Sequence, residues 1–264
     1  MKKRILSAAV LIVIALLCLP FELPRVLLLW AAGIAAAYEI CINFDRQLGI
    51  KVKAWVLYAY ISVLPVLALT HCGIMTYYSL FTFALFFIML SGMLNEEVFA
   101  KGTIYTLAAL VYPCFPVSYI IIVATSERWL QAFILGMVSC LTCDAFALFG
   151  GMLFGKHKLA PTVSPKKTIE GSVCGAVFSL LAGLLIRLIG RDSFGIPLLP
   201  CLVTAIAAST AGQIGDLVES MLKRYIGVKD MSDLIPGHGG VMDRVDSLLF
   251  AIPAAYFCLY VFGY

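Results

Sequence analysis

Long apolar runs separated by short polar stretches repeat along the whole chain. Residues 5–20, 25–43, 54–71, 73–94, 103–124, 129–154, 171–189, 196–222 and 247–263 are dominated by Leu, Ile, Val, Phe and Ala. About 20 such residues in an α-helix cross the hydrocarbon of a bilayer. A helix also satisfies its own backbone where no water can. The pattern therefore predicts an all-α, polytopic membrane protein with about nine transmembrane helices. One integral membrane domain spans 1–264, with helices of about 1–125 as scaffold and 126–264 as the part that carries the chemistry. Composition agrees: 62% of residues are hydrophobic, 13% are charged and the mean hydropathy is +1.00. Soluble domains run nearer half apolar and about a quarter charged.

Charge sets the expected orientation. With the N-terminus inside, fifteen Lys and Arg fall on the inner side and four (Arg25, Arg128, Arg187, Arg191) on the outer side. This positive-inside bias puts the two large polar loops, 155–170 and 223–246, in the cytoplasm of a bacterial-type cell (inner) membrane. Met1-Lys-Lys-Arg4 followed by 5–20 imitates a signal peptide. No small-residue cleavage site follows at Phe21–Arg25, so the segment is expected to remain as the first helix. The nine cysteines lie mostly within apolar runs, where Cys behaves as a small hydrophobe. Cys140-Leu-Thr-Cys143 has metal or redox spacing but no second pair or nearby His, and reads as packing.

Four carboxylates interrupt or border the apolar runs: Glu39, Asp144, Asp216 and Glu219. An acid within the membrane is expensive to bury and points to function. Glu39 can also be read as an interfacial anchor, and Asp144 as either a site residue or a structural hydrogen bond to a neighbouring helix. On a helix over 196–224, Asp216, Ser220 and Lys223 fall within about 60° of one another, flanked by Gln213, Glu219 and Arg224. One face thus turns from apolar to charged towards the inner surface. Asp216 would lie about 12 Å deeper than Arg224, a depth suited to a lipid headgroup.

The segment Ser220–Asp246 carries four Asp, two Lys, two Arg and the turn Pro236-Gly-His-Gly-Gly240. Carboxylates beside Lys and Arg suit magnesium-assisted phosphate chemistry. The glycines can bring backbone N–H groups to phosphate oxygens, though a plain tight turn fits them as well. Asp243 and Asp246 share a face if the chain is helical there, and with Asp216 can converge on a divalent cation. The second polar loop, Gly155–Gly171, mixes lysines, fixed prolines and hydroxyl groups in the order Ser164-Pro-Lys-Lys-Thr168. That mixture suits a triphosphate or lipid phosphate, while a simple topology signal is the plainer reading.

The stretch Ser220–Asp246 resembles the signature of the phosphatidate cytidylyltransferase (CDP-diacylglycerol synthase) family. Its Ser-x-x-Lys-Arg, Lys-Asp and His-Gly-Gly-x-x-Asp-Arg-x-Asp elements are in register without departure. Phe154–Gly171, with Phe-Gly-Lys-His-Lys-Leu-Ala-Pro and Ser-Pro-Lys-Lys-Thr-x-Glu-Gly, is similar to that family's other polar block. The resemblance covers the chain from about 130 onward and is loose before it. It implies that CTP and phosphatidate react to give CDP-diacylglycerol and pyrophosphate for phospholipid synthesis. It also implies Mg2+ on Asp216 and Asp243, as one or two cations, and a homodimer in the bilayer.

On this reading the catalytic candidates are Ser220, Lys223, Arg224, Lys229, Asp230, Arg244 and Asp246. Substrate-binding candidates are Asp144, Ser164, Lys166, Lys167, Thr168, Glu170, His238, Gly239 and Gly240. The loop bearing Lys166 and Lys167 is expected to clamp substrate phosphate, while the Asp216 and Asp243 region stabilises the transition state. Phosphatidate is already largely ionised near neutral pH, so positioning and charge neutralisation matter more than a strong base. Partners are therefore CTP, phosphatidate and the bilayer, with no nucleic acid. The alternatives are a CTP-dependent lipid kinase, a cytidylyltransferase for another lipid phosphate, or, in a different class, an ion-coupled transporter. A transporter would place its charges near the midplane, whereas here they crowd one surface.

Overall fold

The computed structural model describes residues 2–94, 99–190, 194–237 and 239–264. Among them, seven helices are long and apolar enough to cross a membrane, and Ala9–Cys18 and Ala54–Leu69 are shorter apolar helices. The chain divides into two compact units: Met1–Thr125 with Ile226–Arg244, and Ser126–Tyr225 with Val245–Tyr264.

The first unit holds α1 (Lys2–Cys18), α2 (Glu22–Leu48), α3 (Ala54–Leu69), α4 (Ile74–Met93), α5 (Phe99–Ala109) and α6 (Phe115–Ala124). The fifth apolar run, expected over 103–124, is broken into α5 and α6 by a distorted turn at Leu110–Cys114. Pro113 lies within that turn and has no N–H to give to a helical ladder. Helix α2 outruns its expected end at 43 and stops at Gly49, whose φ of 66° suits glycine. Gly49 N–H then donates to the Asp45 carbonyl, and Ile50 N–H to that of Phe44.

Val26, Gly33, Ala36, Ala37, Ile40 and Phe44 recur at helical spacing and form the buried stripe of α2. They pack with Leu57, Ile61 and Leu64 of α3 and Ile121 of α6. In lipid, such contact gains mainly dispersion energy rather than hydrophobic transfer. Helix α4 instead has only 17% of its apolar window buried, and Phe83, Phe86, Met89 and Met93 face outward. Arg25, counted from sequence among the outer charges, is buried. Its Nε donates to the Ala124 carbonyl at 2.9 Å and its Nη1 to that of Leu19 at 2.7 Å. A cation at a helix C-terminus opposes the dipole there.

The second unit holds α7 (Trp129–Phe154), β1 (Lys158–Ala160), β2 (Ser164–Thr168), α8 (Ile169–Gly190), α9 (Leu198–Ile226, up to Tyr225) and α11 (Leu248–Val261). A short helix, α10 (Met242–Val245), precedes α11. The inner loop between α7 and α8, expected to be irregular, is an antiparallel hairpin pairing Lys158 with Thr168 and Ala160 with Ser164. Helices α7 and α8 nearly touch. A Cβ on Gly171 would stand 2.5 Å from the Ala147 carbonyl oxygen and 3.1 Å from Gly151 Cα. Cys140, Ala208, Ala251 and Ala255 form a small-residue core between α7, α9 and α11. The cysteines are free thiols, as the packing reading requires.

Candidate active site

The hairpin of the second unit is built by its own polar residues. Thr168 precedes α8 and its Oγ1 accepts the Gly171 N–H at 3.1 Å, as an N-cap does. Glu170 accepts from the N–H groups of Lys156 (3.1 Å) and His157 (3.2 Å), and bonds His157 Nδ1 at 2.6 Å. Both residues were expected on substrate. The structure gives them a local task, closing the hairpin on α8, because their oxygens face orphan N–H groups at the helix start.

Behind the hairpin lies a cavity of about 730 Å³ lined by Asp144, Gly151, Lys158, Lys166, Lys167, Thr168, Ser172, Gln213 and Asp216. Leu148 and Met152 complete its apolar side and are exposed. Lys167 forms an ion pair with Asp216 Oδ2, and Ser220 Oγ donates to Asp216 Oδ1 at 3.3 Å. Asp144 lies within electrostatic range of Asp216, Asp246 and Lys167. Ser172 Oγ donates to the Gln213 side-chain oxygen, and Gln213 Nε2 reaches Cys143 Sγ at 3.1 Å. The cavity therefore joins acids, three lysines and amide and hydroxyl groups beside a lipid-facing wall.

Deeper along α9, Glu219 is fully buried and pairs with Lys223 Nζ at 2.6 Å. Asp246 lies beside Glu219, within electrostatic range of Asp216 and Lys223, and its Oδ1 accepts the Ser247 N–H at 2.6 Å. Asp216, Ser220 and Lys223, expected on one face, thus have different immediate partners, Lys223 going to Glu219. Arg224 is exposed and donates to the Val163 carbonyl of the hairpin turn at 3.4 Å. Ser164 is half-buried at the start of β2, and Lys166 is exposed along it.

The remaining candidates belong to the first unit, in its polar segment 226–244. Lys229, Asp230 and Arg244 are exposed. Asp243 Oδ2 accepts the N–H of Met231 at 2.8 Å and of Gly240 at 2.9 Å. The Val241 and Met242 N–H groups each donate at 2.8 Å to Glu39. The N–H groups at 240–242 are thus directed to carboxylates, where the sequence reading had offered this turn to phosphate. Gly239 has φ 82° and its carbonyl accepts from Ile235 N–H at 2.9 Å. His238 lies outside the described residues.

Four residues stand out here that the sequence reading left off its site: Glu39, Glu219, Ser172 and Gln213. The two glutamates were legible as intramembrane acids. Ser172 and Gln213 carried no signal beyond their nearness to Gly171 and Asp216.

The chain is similar to proteins named phosphatidate cytidylyltransferase. It is 33% identical to that of Bacillus subtilis (strain 168) over 281 aligned positions, covering all of this chain and 99% of the relative. The Thermotoga maritima protein is 29% identical over 97% of this chain and 95% of its own length. The Staphylococcus saprophyticus protein is 37% identical over 64% of this chain and 65% of its own length. A sequence profile described as the cytidylyltransferase family matches residues 2–262, so both units are included. A membrane-embedded chain whose cavity pairs acids with lysines beside lipid, and whose length is matched from end to end, belongs to the cytidylyltransferase family.

Proposed function

We propose that the protein transfers the cytidylyl group of CTP to phosphatidate. A phosphate oxygen of phosphatidate bonds to the α-phosphorus of CTP as the bond to the β-phosphate oxygen breaks. CDP-diacylglycerol and pyrophosphate result. The observation that carries this reading is the cavity of the second unit. Its lysines suit polyphosphate, and its exposed Leu148 and Met152 suit a substrate that stays in the bilayer.

The chemistry brings anions together, so neutralisation is the first requirement. Lys158, Lys166 and Lys167 supply positive charge along the hairpin side of the cavity. Lys167 is tied to Asp216, which fixes an otherwise flexible ammonium at the cavity wall. Ser172 and Gln213 offer neutral polar groups for orienting a substrate. The hydrocarbon side excludes water, which strengthens each of these interactions.

Magnesium fits the donor set. Asp144 and Asp216 present hard oxygen donors at one cavity. Asp243 has Oδ2 oriented by two backbone N–H groups, as ligating carboxylates commonly are. Among the described residues, no three His, Cys, Asp or Glu side chains form a metal-binding group. One or two carboxylates with substrate phosphates complete a typical magnesium shell. We assign Asp216 and Asp243 as the residues that would hold it, with room for a second cation. When bound, it would neutralise the triphosphate and the departing pyrophosphate.

The fifteen-to-four charge bias supports an active site opening to the cytoplasm of the cell membrane. A homodimer remains the expectation from the family resemblance. The direct assay supplies purified protein in detergent with phosphatidate, magnesium and each of the four nucleoside triphosphates. Pyrophosphate and CDP-diacylglycerol should form in equal amounts with CTP alone. Release of CDP with a phosphorylated lipid would instead identify a lipid kinase.

A further inference from the structure

Glu39 is fully buried at a position towards the end of α2. Three donors surround it. Ser232 Oγ donates to Oε1 at 2.6 Å, Val241 N–H to Oε1 at 2.8 Å, and Met242 N–H to Oε2 at 2.8 Å. No Lys or Arg among the described residues pairs with it. All three donors come from the polar segment of the same unit, nearly two hundred residues along the chain. A buried carboxylate of this kind depends on its hydrogen-bond donors to keep its charge.

The fit is steric as well. A Cβ on Gly240 would lie 2.6 Å from Glu39 Oε2 and 2.8 Å from Cδ and Oε1, so only glycine lets the turn close on the carboxylate. One helical turn further along α2, Asn43 Nδ2 donates to the Met231 carbonyl at 2.7 Å. One face of α2 therefore grips the segment at both 231 and 241–242. Asp243 is bonded to those same two places, through the N–H groups of Met231 and Gly240. Whatever fixes the Glu39 contacts also fixes the Asp243 carboxylate.

We propose that Glu39 is a positioning residue for cytidylyl transfer. Its ionised carboxylate docks the Gly240–Met242 turn and so sets where Asp243 and Arg244 are held. This rests on the reading of the chain as a cytidylyltransferase that uses Asp243. Glu39 touches no substrate in this scheme, and the tightness of its grip decides how well the reacting groups are aligned. Misalignment of a reacting group is felt in turnover more than in substrate affinity.

The test uses full-length protein in detergent, with CTP and phosphatidate varied separately and folding followed by melting temperature and gel filtration. Glu39→Gln turns one acceptor oxygen into an N–H that faces donors. It should lower kcat by about 10- to 100-fold, the range for charge-assisted hydrogen bonds. Both KM values should stay within about threefold and the melting temperature should hold. Glu39→Asp, which keeps the charge, should recover part of the loss. Ser232→Ala removes one donor and should cost a few-fold in kcat.

A double-mutant cycle isolates the contact. Gly240→Ala should lower kcat by about tenfold or more when Glu39 is present, and add little in a Glu39→Ala background. Glu39→Gln turning over within about twofold of wild type would overturn the proposal. Equal harm from Gly240→Ala in both backgrounds would do the same. If Glu39→Gln does not fold, Ser232→Ala decides: unchanged kcat in a normally melting protein also overturns it. An inactive wild-type protein would remove the cytidylyltransferase reading itself.

Discussion

Asp216 divides its two oxygens between Lys167 and Ser220, and this sharing sets what each substitution should do. Asp216→Asn keeps the shape but removes the charge that orients Lys167 and would hold magnesium. Turnover should fall by about 10²–10³-fold or more, as when a preorganised electrostatic group is lost, with the protein extracting and melting normally. Asp243→Asn should behave alike, and near-normal activity at modest magnesium would end its assignment as a ligand. Lys166→Ala should mainly raise KM for CTP or phosphatidate, by about tenfold for a charge-assisted contact. Lys167→Ala should lower kcat as well, because it leaves Asp216 without its ion-pair partner. Lys223 differs from its neighbour Arg224. It pairs with the fully buried Glu219, so Lys223→Ala should destabilise the protein by about 3–5 kcal/mol. Exposed Arg224→Ala should leave the melting temperature nearly unchanged.

At the scale of helices and hairpins, the hydrophobic pattern located most of the spans, because about 20 apolar residues can only cross lipid as a helix. It could not show which way each helix faces. An all-apolar helix such as α4 has no polar stripe to mark its side, and exposure there is set by what packs against it. The pattern also overlooked the extra turn of α2, which depends on Gly49 adopting a left-handed conformation after a polar stretch. That turn extends the helix past Asn43, whose side chain holds Met231. The α7–α8 hairpin was hidden for a similar reason. Its order comes from Thr168 and Glu170 meeting N–H groups brought back by the fold, whereas the sequence displayed only basic and hydroxyl residues suited to phosphate. Glu170→Gln should therefore loosen the hairpin and raise KM with little change in chemistry, a split that steady-state kinetics would resolve. The motif containing Asp216 and Asp243 was legible as chemistry, but Glu39 was not. A lone acid on an apolar helix reads as an anchor until its distant donors are known.

For the molecule as a whole, orientation is the property that places the chemistry. Single cysteines at positions within 155–170 and 225–242 of a cysteine-free protein should resist an impermeant reagent on intact cells and react in inverted vesicles. Labelling from outside would reverse the proposed topology. Chemical cross-linking in native membranes should capture a dimer if the expected assembly forms.

The chain leaves the second unit after Tyr225, contributes 226–244 to the first, and returns at Val245. A bond cut after Thr125 would thus separate Glu39 and Asn43 from the strip that satisfies them. The N-terminal fragment would hold an unshielded acid in its interior, and the remainder would carry an unanchored strip. The same dependence governs inheritance by recombination. A hybrid with its first 125 residues taken from a distant relative must bring a matching acid and amide on α2, or the borrowed half and the resident strip will not recognise each other. The two units are compact in space but are not exchangeable as genes.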